Sequence, residues 1–283
     1  MPWFWRGELQ GGGVLNDMMC HSALVVRQLL TKPGESLSTV KPVRVTGHIA
    51  SLKWTRPEYV KKLKASMGNE VNYAVAPSED FASVMIEFET ADGYHVIGEA
   101  STSWSFVGAG LRLSAELLGP EYSMKWNTLD SGLQLFFSRE VVGSAGEDLV
   151  EKQNAETWVM PVVANEAMAY GYEAENRHFV RAFLGREKPV LTFEYGIEAV
   201  KILMTAYPSA EQGRTLDFPR GYHVEVGGGR HMPGYGFGAG IEQVQGGGYG
   251  KALKADYRRF YGAYVGFSGR GEMIPNEKSY CDI

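Results

Sequence analysis

Apolar residues recur at steps of three and four from the start of the readable pattern: Val14, Leu15, Met18, Met19, Val25, Val26, Leu29 and Leu30. That spacing predicts an amphipathic helix beginning at Val14, which Pro33 and Gly34 stop. The pattern then changes to β-rich stretches. "VRVTGHIASLKW" (43–54), "FASVMIEFET" (81–90) and "YHVIGEASTSW" (94–104) read as strands, with Ala91, Asp92 and Gly93 as a hairpin turn between the last two. "LRLSAELLG" (111–119), "YSMKWN" (122–127) and "LQLFFS" (133–138) continue the series, punctuated by Gly119, Pro120 and Gly132. Consecutive strands joined by short turns imply an antiparallel sheet rather than repeated βαβ units.

A helical period returns in "NEAMAYGYEAENRHFVRAFLG" (165–185), where Met168, Tyr172, Phe179 and Phe183 share a stripe and Gly185 ends the run. A second helix is predicted from Tyr195 to about Gln212, with Ile197, Val200, Leu203 and Met204 turned inward and Pro208 kinking it or ending it early. The body is therefore expected to be α+β: an open, mainly antiparallel sheet with helices on one face. From about Pro219 the composition shifts, and 16 of the 35 glycines fall in residues 220–283, alongside many tyrosines. Such a tail packs a core poorly. The expected division is thus 1–219 as the folded unit and 220–283 as a mostly irregular Gly/Tyr-rich tail, with a short helix within "KALKADYRRFYGAYV" (251–265).

At 283 residues, 44% of them hydrophobic, the chain can bury a substantial core. A net charge of −5 disfavours nucleic acid and anionic membranes as partners, since polyanion binders carry clustered basic excess. Cys20 and Cys281 lie at opposite ends and supply neither a disulfide framework nor metal-ligand spacing, which suits a reducing cytoplasm. "MPWFWRGELQGGG" has no basic segment followed by an apolar one, and no apolar run reaches membrane-spanning length. A soluble, unexported chain is expected. The aromatic "PWFW" (2–5) either covers one edge of a pocket or is apolar surface.

Chemistry concentrates at Asp17 and His21, four residues apart and hence on one face of the predicted first helix. Imidazole titrates near neutrality and can take a hydroxyl proton, while a neighbouring carboxylate orients it or raises its pKa. The structural alternative is that Asp17 caps the helix or complements its dipole. His48, His95, His178, His223 and His231 show no metal-ligand spacing, and no metal site is expected.

The setting of the pair carries a resemblance. "GGGVLNDMMCHSALVVRQLL" resembles the opening of the second domain in the Gfo/Idh/MocA family of NAD(P)-dependent oxidoreductases, where a glycine-rich turn leads into a helix bearing Asp-x3-His. "SEDFASVMIEFETADGYHVIGEASTSW" and "LRLSAELLGPEYSM" resemble the strands that follow in that family. "ENRHFVRAFLGREKPVLTFEYGIEAVKILMTAYPSAEQGRTLDFP" resembles its closing helices, so the likeness spans about residues 3–219.

The resemblance implies Asp17 and His21 as catalytic residues, working with a lysine from a Glu-Lys-Pro motif, and NAD or NADP as cofactor. It also implies a sugar or polyol substrate, His178 as a substrate-cleft residue, and homo-oligomers formed through the open sheet face. Family members carry their Rossmann domain ahead of the Asp-x3-His helix. Only ten residues precede Gly11 here, while a dinucleotide-binding βαβ unit takes about 30 residues. The expectation is a substrate-binding half without cofactor-binding residues of its own, inactive unless a separate Rossmann domain partners it. The alternative is a non-catalytic carbohydrate-binding or oligomerisation module, a pseudoenzyme or gene fragment.

Three look-alike motifs do not change this expectation. Glu187-Lys188-Pro189 spells the family tripeptide after the Asp-x3-His rather than before it, as a solvated loop would. "GYGFGA" (234–239) has no βαβ context. "QGGGYGKA" (245–252) lacks both the first glycine and the closing Ser or Thr of a P-loop.

Overall fold

The structure is a computed structural model of the 283-residue chain. It describes residue 5 and residues 7–68, 71, 73, 78–106, 112–128, 133–138, 157–160, 171–219 and 262–268. A short helix α1 (Gly7–Gln10) leads through a glycine turn into α2 (Val14–Leu30), and a 3-10 turn at Leu37–Thr39 enters strand β1 (Val40–Ala50). Helix α3 (Pro57–Met67) follows, then β2 (Phe81–Thr90), β3 (His95–Ser103), β4 (Arg112–Leu118), β5 (Tyr122–Asn127), β6 (Leu133–Phe137) and β7 (Thr157–Met160). Helices α4 (Tyr172–Phe183) and α5 (Phe193–Gln212), strand β8 (Leu216–Asp217) and strand β9 (Gly262–Ser268) complete the described elements.

The strands form one sheet in the order β7-β6-β5-β4-β9-β3-β2-β1-β8. All neighbours pair antiparallel except β3 and β9, which are parallel. The fold is α+β with a mainly antiparallel sheet, as the strand spacing predicts. The Ala91-Asp92-Gly93 turn is present, with Gly93 at φ +78 and its N–H bonded to Thr90 O.

Alternation along the strands decides which face is core. Ala82, Val84, Ile86 and Phe88 of β2 and Val96, Gly98 and Ala100 of β3 point inward, beneath α2 and α5. The opposite face carries polar and charged groups beside Met85. Glu87 there accepts from Arg44 Nε at 2.6 Å and meets His95 Nδ1 at 2.5 Å.

Four expectations are corrected. The tail segment 262–268 is a strand inserted between β3 and β4, so the meander is interrupted at its centre, and 262–265 are extended rather than helical. The rest of the tail and the 165–170 part of the predicted helix, with Met168, lie outside the described residues. Pro208 does not end α5, which runs through to Gln212. Its last turn is held from outside, where Ser209 Oγ accepts from Gly47 N at 2.9 Å and donates to Arg214 O at 2.6 Å. Ile197 and Val200 face solvent, while Ala199, Ile202, Leu203 and Ala206 form the buried side of α5. The pattern also gives no warning of α3, a polar helix with Pro57 in its first turn and only Val60 and Leu63 buried.

Two glycines let the helices sit directly on the sheet. A Cβ at Gly47 would lie 2.3 Å from Ala206 O, and one at Gly98 would lie 2.1 Å from Val26 Cγ1. Buried Arg27 ties the layers together: its Nε donates to Val40 O at 2.8 Å, its guanidinium pairs with Glu198, and it lies over the Tyr195 ring. The obstacle at Gly47 is backbone, which cannot rotate aside. Gly47→Ala is therefore expected to cost about 1–3 kcal/mol in urea unfolding through overpacking, whereas Gly34→Ala, which meets nothing within 4 Å, should show only the strain of its positive φ.

Candidate functional site

The site is built on the first turns of α2. Gly11 and Gly12 take φ of +88 and +155, which favours glycine on backbone grounds. A Cβ at Gly12 would lie 2.2 Å from Tyr207 Oη, and one at Gly13 would lie 2.1 Å from Glu79 O. The triple glycine is thus required by close approach as well as by conformation.

What approaches is Glu79, at the entry to β2. Its Oε1 accepts from Gly13 N at 2.8 Å, Leu15 N at 3.1 Å and Tyr207 Oη at 2.8 Å. Its backbone carbonyl accepts from Val14 N at 2.9 Å. The helix has no side-chain cap of its own at Gly13, and a residue distant in sequence satisfies its exposed N–H groups instead. Burial raises the Glu79 pKa, opposed by the bonds from Tyr207, Gly13 and Leu15.

Asp80 makes the second connection. Its Oδ1 accepts from Leu52 N at 2.6 Å, and its Oδ2 accepts from Lys53 N at 2.8 Å and Trp54 N at 2.9 Å. Its carbonyl accepts from Trp104 N at 2.9 Å. Trp54 Nε1 in turn donates to Trp104 O at 3.3 Å. Trp5 stands edge-on to Trp54, Tyr73 and Trp104, with centroids 5.0, 6.0 and 5.7 Å apart. Of the "PWFW" segment, Trp5 is therefore core, and residues 2–4 lie outside the described ones.

This scaffold aims Trp104 at Asp17: the indole Nε1 donates to Asp17 Oδ2 at 3.1 Å. Burial raises the Asp17 pKa, while the Trp104 bond and the positive potential of His21 lower it. His21 lies one turn further along α2 and is exposed. A half-buried carboxylate of fixed orientation beside an accessible imidazole can accept a ligand hydroxyl and relay its proton. Asp17 does not cap the helix; Glu79 does. Cys20, between the two, has a half-buried thiol pushed up by burial that donates to Asp17 O at 3.7 Å.

The other histidines lie elsewhere. On α4, His178 Nδ1 bonds Glu187 Oε1 at 2.7 Å, and its Nε2 accepts from Val190 N at 3.1 Å. Glu187 also meets Arg181 Nε at 3.1 Å. Both ring nitrogens of His178 thus clasp the loop containing Glu187-Lys188-Pro189, where Lys188 is exposed. The described residues contain no cluster of three potential metal ligands. No helix among them is long and apolar enough to cross a membrane. His223, His231 and the segments 234–239 and 245–252 lie outside the described residues.

No family model and no curated protein matches the sequence. Solved structures do match by fold. Levoglucosan dehydrogenase, in complex with NADH and levoglucosan, superposes with a TM-score of 0.54 at 19% identity, over 77% of this chain and 53% of that one. An oxidoreductase domain protein from Kribbella flavida superposes with a TM-score of 0.51 at 18% identity, over 77% and 54%. The chain has the fold found in Gfo/Idh/MocA-type oxidoreductases. It spans about half the length of the structures it matches.

Sequence reasoning singles out Asp17 and His21 as candidates but not the residues that surround Asp17 and the start of α2. Glu79, Asp80, Trp104 and Tyr207 join only in three dimensions. The available signal was "SED" (78–80), two acids immediately before an apolar strand, where solvated charges would be unusual.

Three outcomes follow. Trp104→Phe removes a donor that favours the carboxylate, so the Asp17 pKa, read by carbon-detected NMR, should rise. A raised carboxyl pKa also means that the folded state keeps its proton to higher pH than the unfolded state. Glu79 therefore costs stability as pH climbs past its ordinary 4.5, and Glu79→Gln should flatten that slope in denaturant titrations. Glu79→Ala, which also loses the cap, should cost about 2 kcal/mol.

Proposed function

We propose that this chain supplies the substrate-binding half of an NAD(P)-dependent oxidoreductase acting on a secondary alcohol of a sugar or polyol. The observation that carries the reading is the Asp17 carboxylate, oriented by Trp104, one helical turn from exposed His21. In this reading the substrate hydroxyl binds between the two side chains. The His21 imidazole receives the hydroxyl proton, and Asp17 orients the imidazole and stabilises its charged form. The shared fold supports the assignment, since the matched levoglucosan dehydrogenase structures hold NADH with levoglucosan or L-sorbose.

The described residues do not fit a dinucleotide. The glycine-rich turn at the start of α2 is the feature most like a phosphate cradle, but Glu79 fills it and presents a carboxyl group where an anion would sit. A separate nucleotide-binding domain would hold the cofactor, and without that domain the chain is inactive. Aligning a hydride donor and acceptor lowers a barrier by roughly 7–11 kcal/mol, a contribution the described residues do not make by themselves. The working unit comprises residues 1–219 together with the strand at 262–268 that joins β3 to β4, a reducing cytoplasm suits its isolated cysteines, and self-association through the outer sheet face suits its open surface.

The filled cradle also favours a second reading, a non-catalytic carbohydrate-binding or assembly module. Titration separates the two. NADH and NADPH are expected not to bind the chain saturably up to about 1 mM, a level equivalent to only about 4 kcal/mol. Levoglucosan or L-sorbose is expected to shift the His21 ring resonances, with binding weakened about tenfold or more in Asp17→Ala. Micromolar NADH binding would overturn the proposed division of labour. Sugar binding unaffected by His21→Ala would favour the binding module.

A further inference from the structure

His178, in the second half of α4, holds the loop between α4 and α5 at two points. Gly185, at φ +67, turns the chain back at the end of the helix, and Arg186 N donates to Arg181 O at 2.9 Å. Beyond Arg186 the imidazole takes over: its Nδ1 bonds Glu187 Oε1 at 2.7 Å, and its Nε2 accepts from Val190 N at 3.1 Å. Pro189, between these two points, has no backbone N–H to give, so Val190 N is the first donor after it. Helix α4 buries none of its residues. The polar contacts of this loop therefore weigh more in its placement than core packing does.

The two bonds fix the protonation state of the ring. A ring nitrogen that accepts an N–H carries no proton, so Nε2 is bare and the proton of the neutral imidazole sits on Nδ1, donated to the Glu187 carboxylate. An imidazolium carries a proton on both nitrogens. Its Nε2–H would meet the Val190 N–H, donor against donor, while the bond to Glu187 would become an ion pair. Glu187 is shared, since its Oε2 also meets Arg181 Nε at 3.1 Å. Glu187 and Arg181 are the charged groups that face the ring among the described residues. Arg177, on the same helix, pairs with Glu173, and Glu194, at the start of α5, bonds Thr192. Arg186 and Lys188 are exposed on the loop itself.

We propose that His178 is a pH-sensitive clasp on the loop between α4 and α5. Neutral, it ties the loop at both Glu187 and Val190. Protonated, it keeps Glu187 and lets go of Val190, which frees the short stretch Val190, Leu191 and Thr192 that leads into α5. Imidazole is the side chain whose charge changes between about pH 5 and 8, whereas carboxylates and guanidinium groups ordinarily titrate outside that range. The clasp rests on hydrogen-bond geometry alone and does not depend on the proposed oxidoreductase role.

The test is NMR of the full 283-residue chain, titrated from about pH 8 to pH 5, with the His178 ring nitrogens and the Val190 amide observed together. At the upper end the ring is expected to be the Nδ1–H tautomer. As it takes its second proton, protection of the Val190 amide against exchange, referred to an unstructured peptide at the same pH, should fall about three- to tenfold, the worth of one hydrogen bond. His178→Gln removes the titrating group and should show no pH-dependent release of Val190. Glu187→Gln keeps an acceptor for Nδ1–H but removes the charge that favours the imidazolium, so the ring and amide transitions should move to lower pH together. Neither His178 nor Glu187 is buried, so both variants should fold, which circular dichroism checks. An Nε2–H tautomer at the upper end, or Val190 protection that stays constant while the ring titrates, would overturn the proposal. So would pH-dependent release that persists in His178→Gln, or ring and amide transitions that part in Glu187→Gln.

Discussion

The start of α2 depends on a carboxyl group supplied from 66 residues away in the sequence. A helix entered through three glycines has no side chain of its own to satisfy its first N–H groups, and burying those groups unpaired would cost more than one helix of this length can return. Glu79 resolves this with one side-chain oxygen and its own carbonyl. Because Asp80 follows directly and gathers the backbone after β1 and at the end of β3, the same two residues set the position of α2 relative to the sheet edge. Everything the site requires, including the reach of Trp104 to Asp17, follows from that relation.

The arrangement also explains why a glycine-rich turn before a helix is poor evidence for a phosphate site. Glycine is needed here because protein atoms come close: Tyr207 Oη at residue 12 and Glu79 O at residue 13. A phosphate cradle needs the same absence of Cβ atoms but leaves the space for a ligand. The helix N-terminus attracts an anion in both cases. In this chain a carboxyl group of the protein itself occupies that place, and α2 therefore offers its side-chain face rather than its end.

Much of the fold was legible because periodicity reports burial directly. The α2 helix, the β2–β3 hairpin and the antiparallel character of the sheet follow from runs whose apolar residues really are inside, such as Val84, Ile86 and Phe88. Periodicity misled where apolar residues are not inside. Ile197 and Val200 match the helical stripe but face outward, since α5 packs through Ala199, Ile202 and Ala206, whose small side chains permit close contact with Gly47. Arg27 errs in the opposite sense, a charged residue wholly buried because Val40 O, Glu198 and the Tyr195 ring surround its guanidinium. Pattern reading assigns charge to the surface and cannot foresee such partners.

The sequence by itself determined the local facts: a helix that carries Asp17 and His21 on one face, and strands of fixed alternation. These depend on neighbours within a few residues, which spacing encodes. Only the tertiary structure decided that Glu79 rather than Asp17 caps α2, that Trp104 holds the Asp17 carboxylate, and that a strand from the glycine-rich tail lies between β3 and β4. Each of these joins groups tens of residues apart or more, and such pairings depend on how the layers pack, which no local period records.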